Sequence, residues 1–162
     1  MKHFQIFLAL STLLVLGSAI VIYPRGDFLA PNPEGEPDRP GTLHVHIVPH
    51  THNDAGWLYT ADSYFEGNQR GCVSCILDEV VEALQRNPQR RFVYVEQVFF
   101  MPWWQKQSEA KKQILKQLIN EGRLEFLNGG YVMNDEGCTY YDDIIEQMTL
   151  GHRFIKTEFN QT

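Results

Sequence analysis

LHVHIVPHTHNDAGW, residues 43–57, joins a short β-branched run to a turn crowded with imidazole and carboxylate. Leu43 to Val48 has the composition of a buried strand, and the polar turn begins at Pro49. Moving outward, Val73, Ile76, Leu77, Val80, Val81 and Leu84 recur at helical spacing and stop at Asn87 and Pro88. Phe92 to Val98 reads as a second strand. A second helix is expected from the cap residue Ser108, with Ile114, Leu115, Leu118 and Ile119 on one face and Gly122 as its left-handed stop. Leu124 to Leu127 reads as a third strand, followed by Gly129 and Gly130. A third helix carries Asp142 and Asp143 in its first turn, has Ile144, Ile145, Met148 and Ile155 as its apolar stripe, and shows no clear stop signal. Strands alternating with helices predict an α/β fold with a mainly parallel sheet of βα units. Ligands of such sheets sit beyond the carboxyl ends of the strands, so the residues after Val48, Val98 and Leu127 should share one rim.

The remaining sequence bounds the possibilities. The 162 residues carry a formal net charge of −6 with no basic cluster, which argues against a nucleic-acid partner. Lys2, the apolar run Phe4 to Leu16 and the small residues Gly17, Ser18 and Ala19 read as a signal peptide over residues 1–19; extension through Tyr23 would make it a signal anchor. Either places the rest in the secretory lumen, and cleavage leaves no stable membrane partner. Residues 20–42, with Pro24, Pro31, Pro33, Pro37 and Pro40, read as a linker, and residues 43–162 as the folded part. Cys72 and Cys75 form a C-x-x-C, open to redox or zinc roles, but their place at a helix start favours small buried residues; Cys138 is the odd one out.

Within the first turn, residues two apart on extended chain project to one side, so His52 and Asp54 can offer a nitrogen and an oxygen to one ion. That donor pair suits zinc, whose catalytic sites need about three protein ligands and an open position. The competing reading is two polar residues on a surface loop. His44 and His46 lie within the strand and are expected to be hydrogen-bonded and partly buried, while His50 could orient a ligand from behind. In the third turn, Gly129 and Gly130 deliver Asp135 and Glu136 to the same rim, or one of these caps the next helix. Of the aromatics, Phe99, Phe100, Trp103 and Trp104 are accounted for by core packing, and only Trp57, flanked by candidate ligands, suggests a sugar-stacking ring.

The segments HVHIVPHTHNDAGWL, RRFVYVEQVFF, EGRLEFLNGGYVMNDEG and EQMTLGHRF resemble, in order and spacing, glycoside hydrolase family 38, the class II α-mannosidases. The similarity covers about residues 43 to 159, and Thr51, Ala55 and Asn134 resemble the lysosomal branch more than the Golgi one. The resemblance implies the N-terminal part of a distorted β/α-barrel-like glycosidase domain, incomplete here. It also implies that His52, Asp54 and Asp135 bind a catalytic zinc, that Asp135 is the nucleophile, and that Trp57 stacks on mannose. Tyr131 stands where the family usually has tryptophan and keeps a ring for the sugar. The implied activity is retaining hydrolysis of terminal α-mannosyl residues on oligomannoside or N-glycan substrates, in a lysosomal or extracellular enzyme, or a membrane-anchored Golgi one. The family's general acid and its fourth zinc ligand, a histidine, lie downstream of any residue in this sequence. Asn160, Gln161 and Thr162 form an N-x-T glycosylation acceptor. Two other readings compete: an inactive metal- or sugar-binding remnant, and a zinc-dependent polysaccharide deacetylase, which would release acetate rather than mannose.

Overall fold

The computed structural model describes residues 18–22, 43, 45–68, 71–135 and 137–161. Most of the leader, the linker from Tyr23 to Thr42, His44 and Glu136 lie outside the described residues, as does the side chain of His46. Strand β1 (Ser18–Ile22) runs antiparallel to β2 (Val45–Pro49), with Ser18 opposite Pro49 and Ile22 opposite Val45. The expected cleavage point after Ala19 falls inside β1. Among the described residues no helix is long and apolar enough to cross a membrane.

The next element, α1 (Ala61–Glu66), was not anticipated, because six residues are too few to show a helical period. Its ends are nevertheless marked: the Thr60 hydroxyl accepts from the Ser63 amide, and Gly67 closes it at φ 78°. Helix α2 (Val73–Arg86) buries Val73, Leu77, Val80, Val81 and Leu84, the predicted face. The reading of Cys72 and Cys75 as buried small residues is corrected. They form a disulfide at the first turn of α2, with Cys72 half-buried and Cys75 exposed, while Cys138 is free and exposed.

Strand β3 (Phe92–Tyr94) is shorter than the predicted Phe92 to Val98, and α3 (Gln97–Gln105) begins where the strand was expected to continue. The first-turn donors of α3 explain the change. Gln97 and Val98 donate to the carbonyls of Gly130 and Tyr131, and Phe99 and Phe100 to that of Glu96. A distant loop thus satisfies amides that a helix start leaves orphaned. Helix α4 (Glu109–Asn120) starts as predicted, the Ser108 hydroxyl accepting from the Lys111 amide, and Gly122 stands at φ 61° just beyond it.

Strand β4 (Leu124–Phe126) pairs in parallel with β3, Phe92 opposite Leu124, and a parallel bridge between His50 and Val93 carries the sheet on from β2. The parallel sheet is therefore present and small. Helix α5 (Tyr141–Phe159) has Asp142 and Asp143 in its first turn, but its buried residues are Gly151, Ile155 and Phe159. Ile145 is exposed, against expectation, and a stop signal does exist: Asn160 adopts a left-handed conformation and donates to the Lys156 carbonyl.

The core is aromatic. Phe100, with no exposed surface, lies within 4.9–6.3 Å, centroid to centroid, of Tyr94, Trp103, Trp104, Phe126, Phe154 and Phe159. Those rings come from β3, α3, β4 and α5, so one side chain bridges both parallel strands and two of the helices packed on them. Aromatic pairs of this kind add about 0.5–1.5 kcal/mol beyond burial. Replacing Phe100 by alanine should destabilise the fold by about 3–5 kcal/mol, as large cavities in aromatic cores do. The unfolding midpoint of the intact protein checks this, and an unchanged midpoint would contradict the central place given to the ring.

Candidate functional site

The carboxyl ends of the three strands are stitched into one rim by hydrogen bonds that backbone amides donate. The amide of Asn53, after β2, donates to Glu96 Oε1 after β3 at 3.2 Å. Gln97, next along, donates to the carbonyl of Gly130 after β4 at 3.2 Å. The shared rim expected from strand order is thus observed.

On the first turn, Gly56 at φ 94° folds the chain back so that its amide donates to the Asp54 carbonyl. Thr51 is buried, Asn53 is half-buried, and the side chains between and beyond them face solvent. His52 Nε2 and Asp54 Oδ1 stand 2.9 Å apart, with side chains 58% and 46% exposed, so both heads are available to something outside the protein. Ligands about 2.0–2.1 Å from a tetrahedral zinc stand about 3.3 Å from each other. A few tenths of an ångström of opening would let this nitrogen and oxygen hold the ion, so the pair fits zinc.

Asp135, at the other turn, is not joined to them. Among the described residues no group of three or more His, Cys, Asp or Glu side chains stands close enough to hold a metal. The Asp135 carboxylate accepts from the Gly137 amide at 2.7 Å, and its carbonyl from the Cys138 amide at 2.9 Å, closing its own turn. Nor does it cap α5, which starts after Tyr140 without a side-chain cap. Trp57 is three-quarters exposed beside the histidine–aspartate pair in sequence. Tyr131 is half-buried and lines a cleft of about 510 Å³ with Asp62, Phe65, Met101 and Lys106, between α1 and α3. His50, just past β2, bonds through its Nδ1 the carbonyl of Val48 at 3.0 Å. A cavity of about 820 Å³ runs along β2 and α2 and includes none of His52, Asp54, Trp57 or Asp135.

The loop bearing Asp135 is held to α5. Asn128 and Gly129 take left-handed conformations at φ 63° and 69°, and His152 Nε2 bonds the Asn128 carbonyl at 2.8 Å. Tyr131 donates its amide to the Gln147 carbonyl, and Val132 donates to Gln147 Oε1, each at 3.0 Å. Gly151 faces this backbone so closely that an added Cβ would overlap the Gly129 carbonyl oxygen and come within 2.6 Å of the Gly130 carbonyl carbon.

Beneath the rim lies a polar cluster that the sequence reading missed. Glu96, Gln97 and Tyr94 are essentially fully buried. Thr51 Oγ1, Asn53 Nδ2, Tyr94 Oη, Glu96 Oε2 and Gln97 Oε1 are buried without a hydrogen-bond partner among the described residues. Burial holds the Glu96 carboxyl above its ordinary range, while the Asn53 amide and the nearby His52 pull it back. Burial likewise raises the Tyr94 phenol, with the Glu96 charge adding to it. The available signal was that Glu96 is the one charged residue between Phe92 and Trp104.

A parallel sheet with an imidazole–carboxylate pair and a glycine-led acidic turn on one rim defines the class: an α/β domain built to present polar groups at its strand ends. Residues 42–162 match the glycosyl hydrolases family 38 N-terminal domain, and the chain belongs to that family. It is 53% identical over 127 residues to a probable alpha-mannosidase of Arabidopsis thaliana, covering 76% of this chain and 12% of that protein. It is 50% identical to the lysosomal alpha-mannosidase of Mus musculus over 127 residues, and 50% identical to that of Homo sapiens over 125, covering 76% and 75% of this chain and 12% of each relative. The chain thus spans about an eighth of the length of the curated relatives it matches.

The Gly151 contact gives a test whose sign is informative. Alanine in mid-helix is ordinarily favoured over glycine by about 1 kcal/mol. Here, contact with backbone that cannot swing aside should reverse the sign and destabilise Gly151→Ala by about 1–3 kcal/mol. A raised or unchanged unfolding midpoint would show that the loop is not pressed on the helix.

Proposed function

We propose that the protein is a retaining α-mannosidase that removes terminal α-mannosyl residues from oligomannoside or N-glycan substrates, with residues 43–162 forming the N-terminal part of a distorted β/α-barrel-like catalytic domain. The observation carrying this reading is the outward-facing His52–Asp54 pair on a rim shared with the Asp135 turn, in a chain of this family. His52 and Asp54 would hold a zinc ion, and Asp135 would join them only after its carboxylate leaves the Gly137 amide that now occupies it. Zinc, when bound, supplies a template and positive charge for sugar hydroxyls.

This chain's own residues do the rest of what can be assigned. The Asp135 carboxylate attacks the anomeric carbon; the glycosidic oxygen leaves with a proton from a general acid that no residue here is assigned to supply. The resulting glycosyl ester is opened by water from the face the leaving group vacated, which restores the original configuration. Trp57 offers an exposed ring for the apolar face of the sugar, and Tyr131 a second, half-buried ring. A disulfide at Cys72–Cys75 suits an oxidising lumen, and the lysosomal relatives support a lysosomal or secreted location.

The intact protein assayed on an aryl α-mannoside should lose activity to a chelator and regain it with zinc. Asp135→Asn should slow turnover by on the order of a thousandfold or more, the scale seen when a nucleophile is removed. A rate indifferent to chelation, or kept by Asp135→Asn, would sink the mechanism.

A further inference from the structure

We propose that Glu96 is a positioning residue that fixes the His52–Asn53–Asp54 turn so that its two outer side chains form a divalent-cation ligand pair; the inference rests on the zinc reading above. Side chains alternate along the turn: Thr51 and Asn53 face inward, and His52 and Asp54 face solvent. Extended chain alternates by default, and what fixes its placement here is a grip on the inner edge. Glu96 supplies it, its Oε1 accepting from the Asn53 amide at 3.2 Å, across 43 positions of sequence.

Glu96 occupies the cap position of α3, where a carboxylate would ordinarily accept from its own helix, yet it makes no side-chain cap bond. The side chain is spent on the neighbouring turn instead. It is 1% exposed, in a run otherwise free of charge, and an isolated carboxylate is costly to bury unless a donor holds it. The bonded amide belongs to the residue between the two candidate ligands, so a shift of the Glu96 oxygen moves both heads together. Reach, rather than charge, is what the contact requires: glutamine offers an acceptor at the same distance, whereas aspartate is one methylene short.

The test is zinc affinity of the intact, metal-stripped protein, measured by competition with a chromophoric chelator, with the visible absorption of the cobalt-substituted form reporting ligand geometry. E96D should bind zinc about 10–100-fold more weakly, the range for lost outer contacts to a metal site, with shifted cobalt bands. E96Q should stay near wild type in both. Wild-type affinity in E96D, or equal weakening in E96Q and E96D, overturns the proposal. Wild-type protein that binds no zinc overturns the zinc reading and this inference together, whereas zinc binding that ignores E96D removes only the latter. If E96D is too unstable to isolate, E96A takes its place: tenfold or greater weakening with shifted cobalt bands, beside an unaffected E96Q, upholds the role, and wild-type affinity in E96A refutes it.

Discussion

A carbonyl can press against the flank of a helix only where the helix residue has no Cβ, and the geometry of the rim depends on one such contact. Gly129 and Gly130 lie on α5 at Gly151, and from there the loop lends its carbonyls to the first amides of α3. That placement fixes where β3 must end, because the chain after Tyr94 has to turn into α3 to meet those acceptors. It also sets the depth of Glu96, one residue before the helix, under the first turn. The contact therefore links β4, α5, α3 and the histidine–aspartate turn, which are far apart in sequence.

Around this contact the aromatic cluster centred on Phe100 supplies most of the cohesion. The two features divide the work: rings from four elements bury apolar surface without strict direction, while the glycine contact and the amides it serves specify direction with little area. A functional rim needs both, since burial alone would not say which side chains face outward.

Much of the architecture was legible in the sequence because it is local. Helix α2 declared itself through Val73, Leu77, Val80, Val81 and Leu84, and α4 through the Ser108 cap and Leu115, Leu118 and Ile119. What escaped was set by distant partners. VFFMPWW has no helical period, is rich in residues favoured in strands and contains Pro102, yet it is helical because loop carbonyls receive its first amides. Ile145 belonged to the periodic stripe of α5 but is exposed, since the packing face was decided by Gly151. For the site, the H-x-D spacing puts His52 and Asp54 on one side, where they stand 2.9 Å apart, whereas Asp135 is engaged in its own turn, a local bond that strand order does not reveal. Glu96 went unread because its partner is 43 positions away.

The cystine at the start of α2 has a practical corollary. With Cys72 and Cys75 joined, Cys138 is the sole free thiol of the sequence's three cysteines, and it is exposed three residues after the candidate nucleophile. Within these 162 residues a maleimide fluorophore added without reductant would therefore attach at one position, on the loop that carries Asp135. This stretch thus carries an addressable position beside the candidate site, and no cysteine has to be engineered to place a reporter there.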